Sequence, residues 1–144
     1  MPMPDEYQRA GQIFDRFLHD AGAALDLTTR NQTYTVVQSV LLVFRRRLTI
    51  TQGLRFADEL PAVLRALFVK EWDVAAPPMP FAGRDVLSEE VRMLRRHHNF
   101  APPTAIRDVA RALRGHVDAR GFDVMLATLP REAAAFWSSD GHEW

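Results

Sequence analysis

The chain has 144 residues with 47% hydrophobic and 25% charged content, a globular composition and enough length for a core without covalent staples. Eighteen basic and eighteen acidic residues cancel, so no net field draws the chain toward nucleic acid or anionic lipid. Cysteine is absent, which excludes disulfides, thiolate catalysis and sulfur-ligated metal.

Met1-Pro2-Met3-Pro4-Asp5-Glu6 has neither the basic start nor the apolar run of a signal peptide. The densest apolar run, Val40 to Phe44, falls far short of the ~20 residues that span a bilayer. The expectation is a soluble protein without membrane insertion, cytoplasmic by default. Seventeen of the eighteen basic residues are arginine. Arginine is the better phosphate and carboxylate binder, but a GC-rich coding sequence gives the same bias more simply.

From the N-terminus, Ile13, Phe14, Phe17, Leu18 and Ala21 form one stripe of a 3.6-residue period, which predicts a helix over about 5–24. Asp5 and Glu6 lie where its N-terminal dipole favours anions. Thr28 or Thr29 then caps a second segment that runs to about Leu48. Its centre, Tyr34 to Phe44, is rich in β-branched residues and taken alone reads equally as a strand.

A second copy resolves the ambiguity. With an offset of 69 residues, Thr35 to Phe68 lies on Thr104 to Trp137 without a gap. Val37, Val40, Leu41, Phe44 and Leu48 then match Ile106, Val109, Ala110, Leu113 and Val117. The second set stands among Arg107, Asp108, Arg111 and Arg114, where the helical period is clean. Both segments are therefore read as helices. Leu42 aligns with Arg111 and Val63 with Glu132, so copy one is expected to carry an extra covered face that copy two lacks.

The punctuation repeats as well. Thr49 with Gln52 forms a capping box, and Asp118 is the aligned N-cap. Short helices follow over about 51–59 and 119–128. Pro61 and Pro130 open the next helices at their first position, where the missing N–H costs nothing. Between the copies, Pro77, Pro78 and Pro80 exclude helix and central strand. A helix over about 86–97 follows, with Leu87, Val91, Met93 and Leu94 on its apolar side.

The fold expectation is all-α, a single domain of about eight helices built from internally duplicated four-helix units packed as a bundle. Its divisions are repeat unit 5–72, proline-rich connector 73–84, repeat unit 85–137 and a short tail 138–144. Arg47-Leu48-Thr49, Leu60-Pro61, Leu64-Arg65 and Trp72, in this order and spacing, resemble the bacterial family catalogued as domain of unknown function 2267. The resemblance covers about 13–137. It implies an all-helical, internally repeated fold with no established activity, hence no functional residues to carry over. That family often has glycine just before the tryptophan, where this chain has Glu71.

No residue set rises to a reaction. His97 and His98 are adjacent, ~100° apart on a helix, and their position, like that of His116, fits a stabilising interaction with a helix C-terminus. Neither HExxH nor Glu-x-x-His spacing occurs, so no metal or cofactor is expected. The serines Ser39, Ser88, Ser138 and Ser139 lack a nucleophile elbow. Asp58-Glu59 and Glu89-Glu90 read as solvated neighbours. The arginine clusters are the remaining candidates for anion or partner contact: Arg45, Arg46 and Arg47 at one helix end, and Arg92, Arg95 and Arg96 at another. Offsetting the helix dipole explains both. Phe81 and Trp144 lie outside the predicted helices, as packing residues or partner anchors.

These residues favour a non-enzymatic interaction or structural module, with an unknown protein partner or a second copy of itself. Polyanion binding through the arginine clusters is the alternative, and the balanced charge disfavours nucleic acid. An enzyme with an unrecognised site is the third reading.

Overall fold

Hydroxyl and proline punctuation starts most of the helices seen in the computed structural model, which describes residues 1–139. Among these residues there are nine helices and no strand: α1 (Asp5–Gln8), α2 (Ala10–Leu25), α3 (Arg30–Arg45), α4 (Ile50–Asp58), α5 (Ala62–Val69), α6 (Arg84–Met93), α7 (Ala105–Arg114), α8 (Ala119–Leu126) and α9 (Arg131–Phe136). The chain is all-α, as its periodicity predicts.

The first helix is not continuous. Arg9 leaves helical geometry (φ −113°, ψ 18°) and splits α1 from α2. No residue of α1 is buried, so packing does not hold its single turn in line, and so short a helix has little stability of its own.

α3 keeps its β-branched centre helical by two devices. Thr29 and Gln32 form a reciprocal capping box at its start. The hydroxyls of Thr33, Thr35 and Ser39 each donate to the carbonyl four residues back, at 3.2, 3.0 and 2.8 Å, so these buried polar groups are satisfied inside the helix. Burial then outweighs propensity. α2, α5, α6 and α7 all pack against α3, and its buried residues run nearly all the way around.

The cap readings hold at Thr49, which forms a capping box with Gln52, and at Asp118, which accepts from Gly121 N–H. Pro61 and Pro130 sit one position earlier than expected, as N-caps with extended ψ of 155° and 148°. α6 stops at Met93, not near His97. Leu94 is extended and Arg95 takes a left-handed φ of 52°. The cause is Asn99, whose buried amide donates to Val91 O at 2.8 Å and Leu94 O at 2.7 Å. It satisfies terminal carbonyls that another helical turn would otherwise have bonded.

Two long contacts join the halves reciprocally. α2 of the first half lies along α7 of the second, and α6 of the second lies along α3 of the first; α4 and α8 also meet. One aromatic core serves both. Trp137, fully buried, stands 5.3 Å from Phe56 in a stacked arrangement and meets Phe44 and Phe122 edge-on at 5.4 and 6.2 Å. Phe136 and Phe44 are 4.9 Å apart. Such ring pairs add to area burial. Phe81 tucks against this cluster, half-buried beside Phe44. Trp144 lies outside the described residues. Among the described residues, no helix is long and apolar enough to cross a membrane.

Candidate functional site

The six candidate arginines do not converge on one surface with free charges. Arg47 ends the first cluster almost fully buried, at 6% exposure. Its guanidinium grips Glu90 of α6 with two bonds of 2.7 Å, and also donates to Val43 O and Pro80 O. Arg46 adds a third bond to Glu90 at 2.9 Å, and its own carbonyl accepts from Met79 N–H. This knot ties α3, α6 and the connector together. Burial alone would raise the Glu90 carboxyl, but the hydrogen bonds and charges of Arg47 and Arg46 outweigh it and hold the carboxyl below its usual range.

Arg45 turns the other way. It donates to Phe68 O and Lys70 O, both at 2.9 Å, and lies over the Trp72 ring at 5.4 Å. Burial, then the adjacent Arg46 cation, lowers its pKa from the ordinary arginine value, though not enough to discharge it. Arg114, the residue aligned with Arg45, repeats the arrangement. It donates to Trp137 O at 2.8 Å, the residue aligned with Phe68, and lies over Phe122 at 5.2 Å. The rings differ for a steric reason. Gly53 holds the position aligned with Phe122, and any Cβ there would collide with Trp72. Trp72 therefore fills in the first half the place that Phe122 fills in the second.

A second correspondence follows Arg47. Its aligned residue, His116, sets Nε2 at 2.7 Å from Asp20 Oδ2 on α2. In each half, a basic residue just beyond the second long helix reaches an acid on the leading helix of the other half.

The second cluster divides. Arg92 pairs with Glu89 on the surface of α6, at 3.1 and 3.2 Å. The bond from Arg92 lowers the Glu89 carboxyl, and the same bond raises Arg92. Arg95 and Arg96 lie beyond α6, not in its last turn as expected, and His97 and His98 share that loop; all four are exposed. Among the described residues, Arg95 reaches only the neutral amide oxygen of Gln38, at 3.4 Å. Phe100, at the end of the loop, is 59% exposed. Between them Asn99 is buried, bonding Ser39 Oγ, Val91 O and Leu94 O while its own oxygen accepts from Ala101 N–H at 3.0 Å. The basic loop is thus held in one shape by a side chain that points inward.

Asn99, Phe100 and Glu90 are the residues that sequence reasoning passed over. An asparagine between two histidines and an aromatic-proline run signals a loop, but only tertiary contact shows that it is buried. Glu90 read as a solvated neighbour of Glu89. Its opposite helix face makes it the counter-ion of two arginines.

Elsewhere, an open groove of about 590 Å³ is lined by Phe81, Gly83, Arg131 and Glu132. Another, about 270 Å³, runs past Trp72, Pro77 and Pro78. Among the described residues, no group of three or more His, Asp or Glu side chains is placed to hold a metal ion.

No curated protein matches the chain. The family model described as "Uncharacterized conserved protein (DUF2267)" matches residues 14–136, which take in the capped helices, both proline N-caps, the arginine knot and the Asn99 loop. The chain therefore belongs to this DUF2267 family.

Proposed function

We propose that this chain is a non-enzymatic interaction module of the bacterial cytoplasm, a rigid helical body that presents the loop 94–100 to a protein partner. The observation that carries the reading is the contrast within the arginines. Arg45, Arg46, Arg47 and Arg92 are bonded to carbonyls or carboxylates of the chain itself. Arg95 and Arg96 project from a loop whose backbone is locked by Asn99 and whose end displays Phe100. A fixed loop with an exposed aromatic is poised for recognition, because ordering it on binding costs little entropy. Binding sites also concentrate on loops carried by a rigid scaffold.

Polyanion binding is the competing reading. It rests on the same clusters, but four of the six arginines already bond backbone carbonyls or carboxylates of the chain. That leaves a basic footprint too short to track a phosphate backbone.

The test is a photoreactive residue placed at Phe100 and activated in the native cell. One discrete protein adduct is expected, absent when the same residue replaces Val124 on the exposed face of α8. Adducts with RNA alone, or none, would overturn the proposal.

A further inference from the structure

The partner's chemistry can be read from the loop itself, given the interaction reading above. Many cations of this neutral chain are paired with a carboxylate: Arg9 with Asp5, Arg30 with Asp15, Arg46 and Arg47 with Glu90, Arg92 with Glu89, and Arg114 with Asp123. Arg16, Arg55, Arg120 and Arg131 have no such partner among the described residues, but each stands singly in the chain, whereas the loop sets two side by side. Arg95 has only an amide oxygen, and no carboxylate pairs with Arg96 among the described residues. The helix that backs the loop on the Gln38 side, α3, contains no acidic residue at all.

Three features define what would fit. Adjacent guanidiniums present forked donors suited to carboxylates. Phe100 offers an exposed apolar face for an apolar side chain. The basic run itself is short, Arg95 to His98. A long polyanion needs more cations than this run supplies; a short acidic segment with one apolar residue does not.

We infer that the loop 94–100 binds an acidic peptide segment of a protein partner, with its carboxylates on Arg95 and Arg96 and an apolar side chain on Phe100. Affinity is modest because the contact is small and solvated, and it falls as salt rises.

The experiment is fluorescence anisotropy with the full chain and a fluorescein-labelled peptide of Asp and Glu residues around a single Phe. Saturable binding to the native protein is expected. The double variant R95Q/R96Q should weaken it by about tenfold. Phe100→Ser should weaken it too, and Arg120→Gln on the exposed start of α8 should not. Thermal melts establish that the loop variants stay folded. Asn99→Ala provides a further check: all the charges remain but the shape is released, and binding should fall. Failure of the native protein to bind, equal binding by R95Q/R96Q, or preference for oligodeoxythymidine lost in that variant would each overturn the inference. If the peptide fails while the probe at Phe100 still captures a protein, the acidic chemistry falls and the interaction reading stands. If both fail, both fall.

Discussion

Glu71 takes φ 54° immediately before Trp72, a left-handed geometry that favours glycine and strains a residue with a Cβ by roughly 1–2 kcal/mol. Glycine adopts this backbone without a Cβ clash. Glu71→Gly is expected to raise stability by about 0.5–1 kcal/mol, read as a higher denaturant midpoint at unchanged slope. An unchanged or lowered midpoint would show that the strain is relieved elsewhere. The Arg47–Glu90 pair makes the opposite case. Removing Arg47 leaves the partly buried Glu90 to Arg46 alone and breaks the two shortest bonds of the knot, so Arg47→Met should destabilise by about 2 kcal/mol. Because the Glu90 carboxyl is held below its unfolded value, its contribution is present above the ordinary carboxylate range. It is lost as pH falls through that range into the lowered folded value. Glu90→Gln should therefore flatten the acid limb of the stability profile, as measured by urea melts across acidic pH. A limb of unchanged steepness would remove Glu90 as its source.

At the scale of elements, Thr49 and Asp118 cap α4 and α8 in the same way. Thr49→Ala and Asp118→Ala should each cost about 1 kcal/mol, and unchanged midpoints in both would remove that assignment. α3 shows where element reasoning needed correction. Its many-sided burial was expected, and its cover comes from α2, α5, α6 and α7 of the same chain. Leu42, however, is only half-buried, while its counterpart Arg111 is exposed. A guanidinium at position 42 reaches water along its own stem. Leu42→Arg should accordingly destabilise by about 1–2 kcal/mol without unfolding the chain. Thermal melts with light scattering decide this, and complete unfolding at ambient temperature would show the site to be closed.

At the scale of the whole molecule, we propose that the two halves arose by duplication. Support comes from independent contacts at the same offset of 69 residues. Arg45 on Phe68 O answers Arg114 on Trp137 O; Thr49 answers Asp118 as a cap; Arg47 and His116 each reach the leading helix of the other half. An experimental structure in which α3–α5 superposes on α7–α9, residue on aligned residue, is the expected outcome. A register other than this offset would refute the duplication.

The residues alone determined most of the helices, the cap positions and the proline breaks, because these depend on hydrogen-bonding chemistry within a few neighbours. The family was legible for the same reason, its marks being local punctuation in a particular order. The Gly53–Trp72 exchange was not legible, since it concerns two residues apart in the chain competing for one volume. Nor was the early end of α6. Its periodic residues continue through Leu94, but the carbonyls of its last turn are taken by Asn99 from outside the helix. The arginines show the division most clearly. Their type and helix-end positions were readable along the chain, yet which of them are neutralised depends on which acids the packing of α3 against α6 brings within 3 Å. Long-range pairing of charges is a property of the assembled bundle, and only the tertiary structure decided that Arg95 and Arg96 are left facing water.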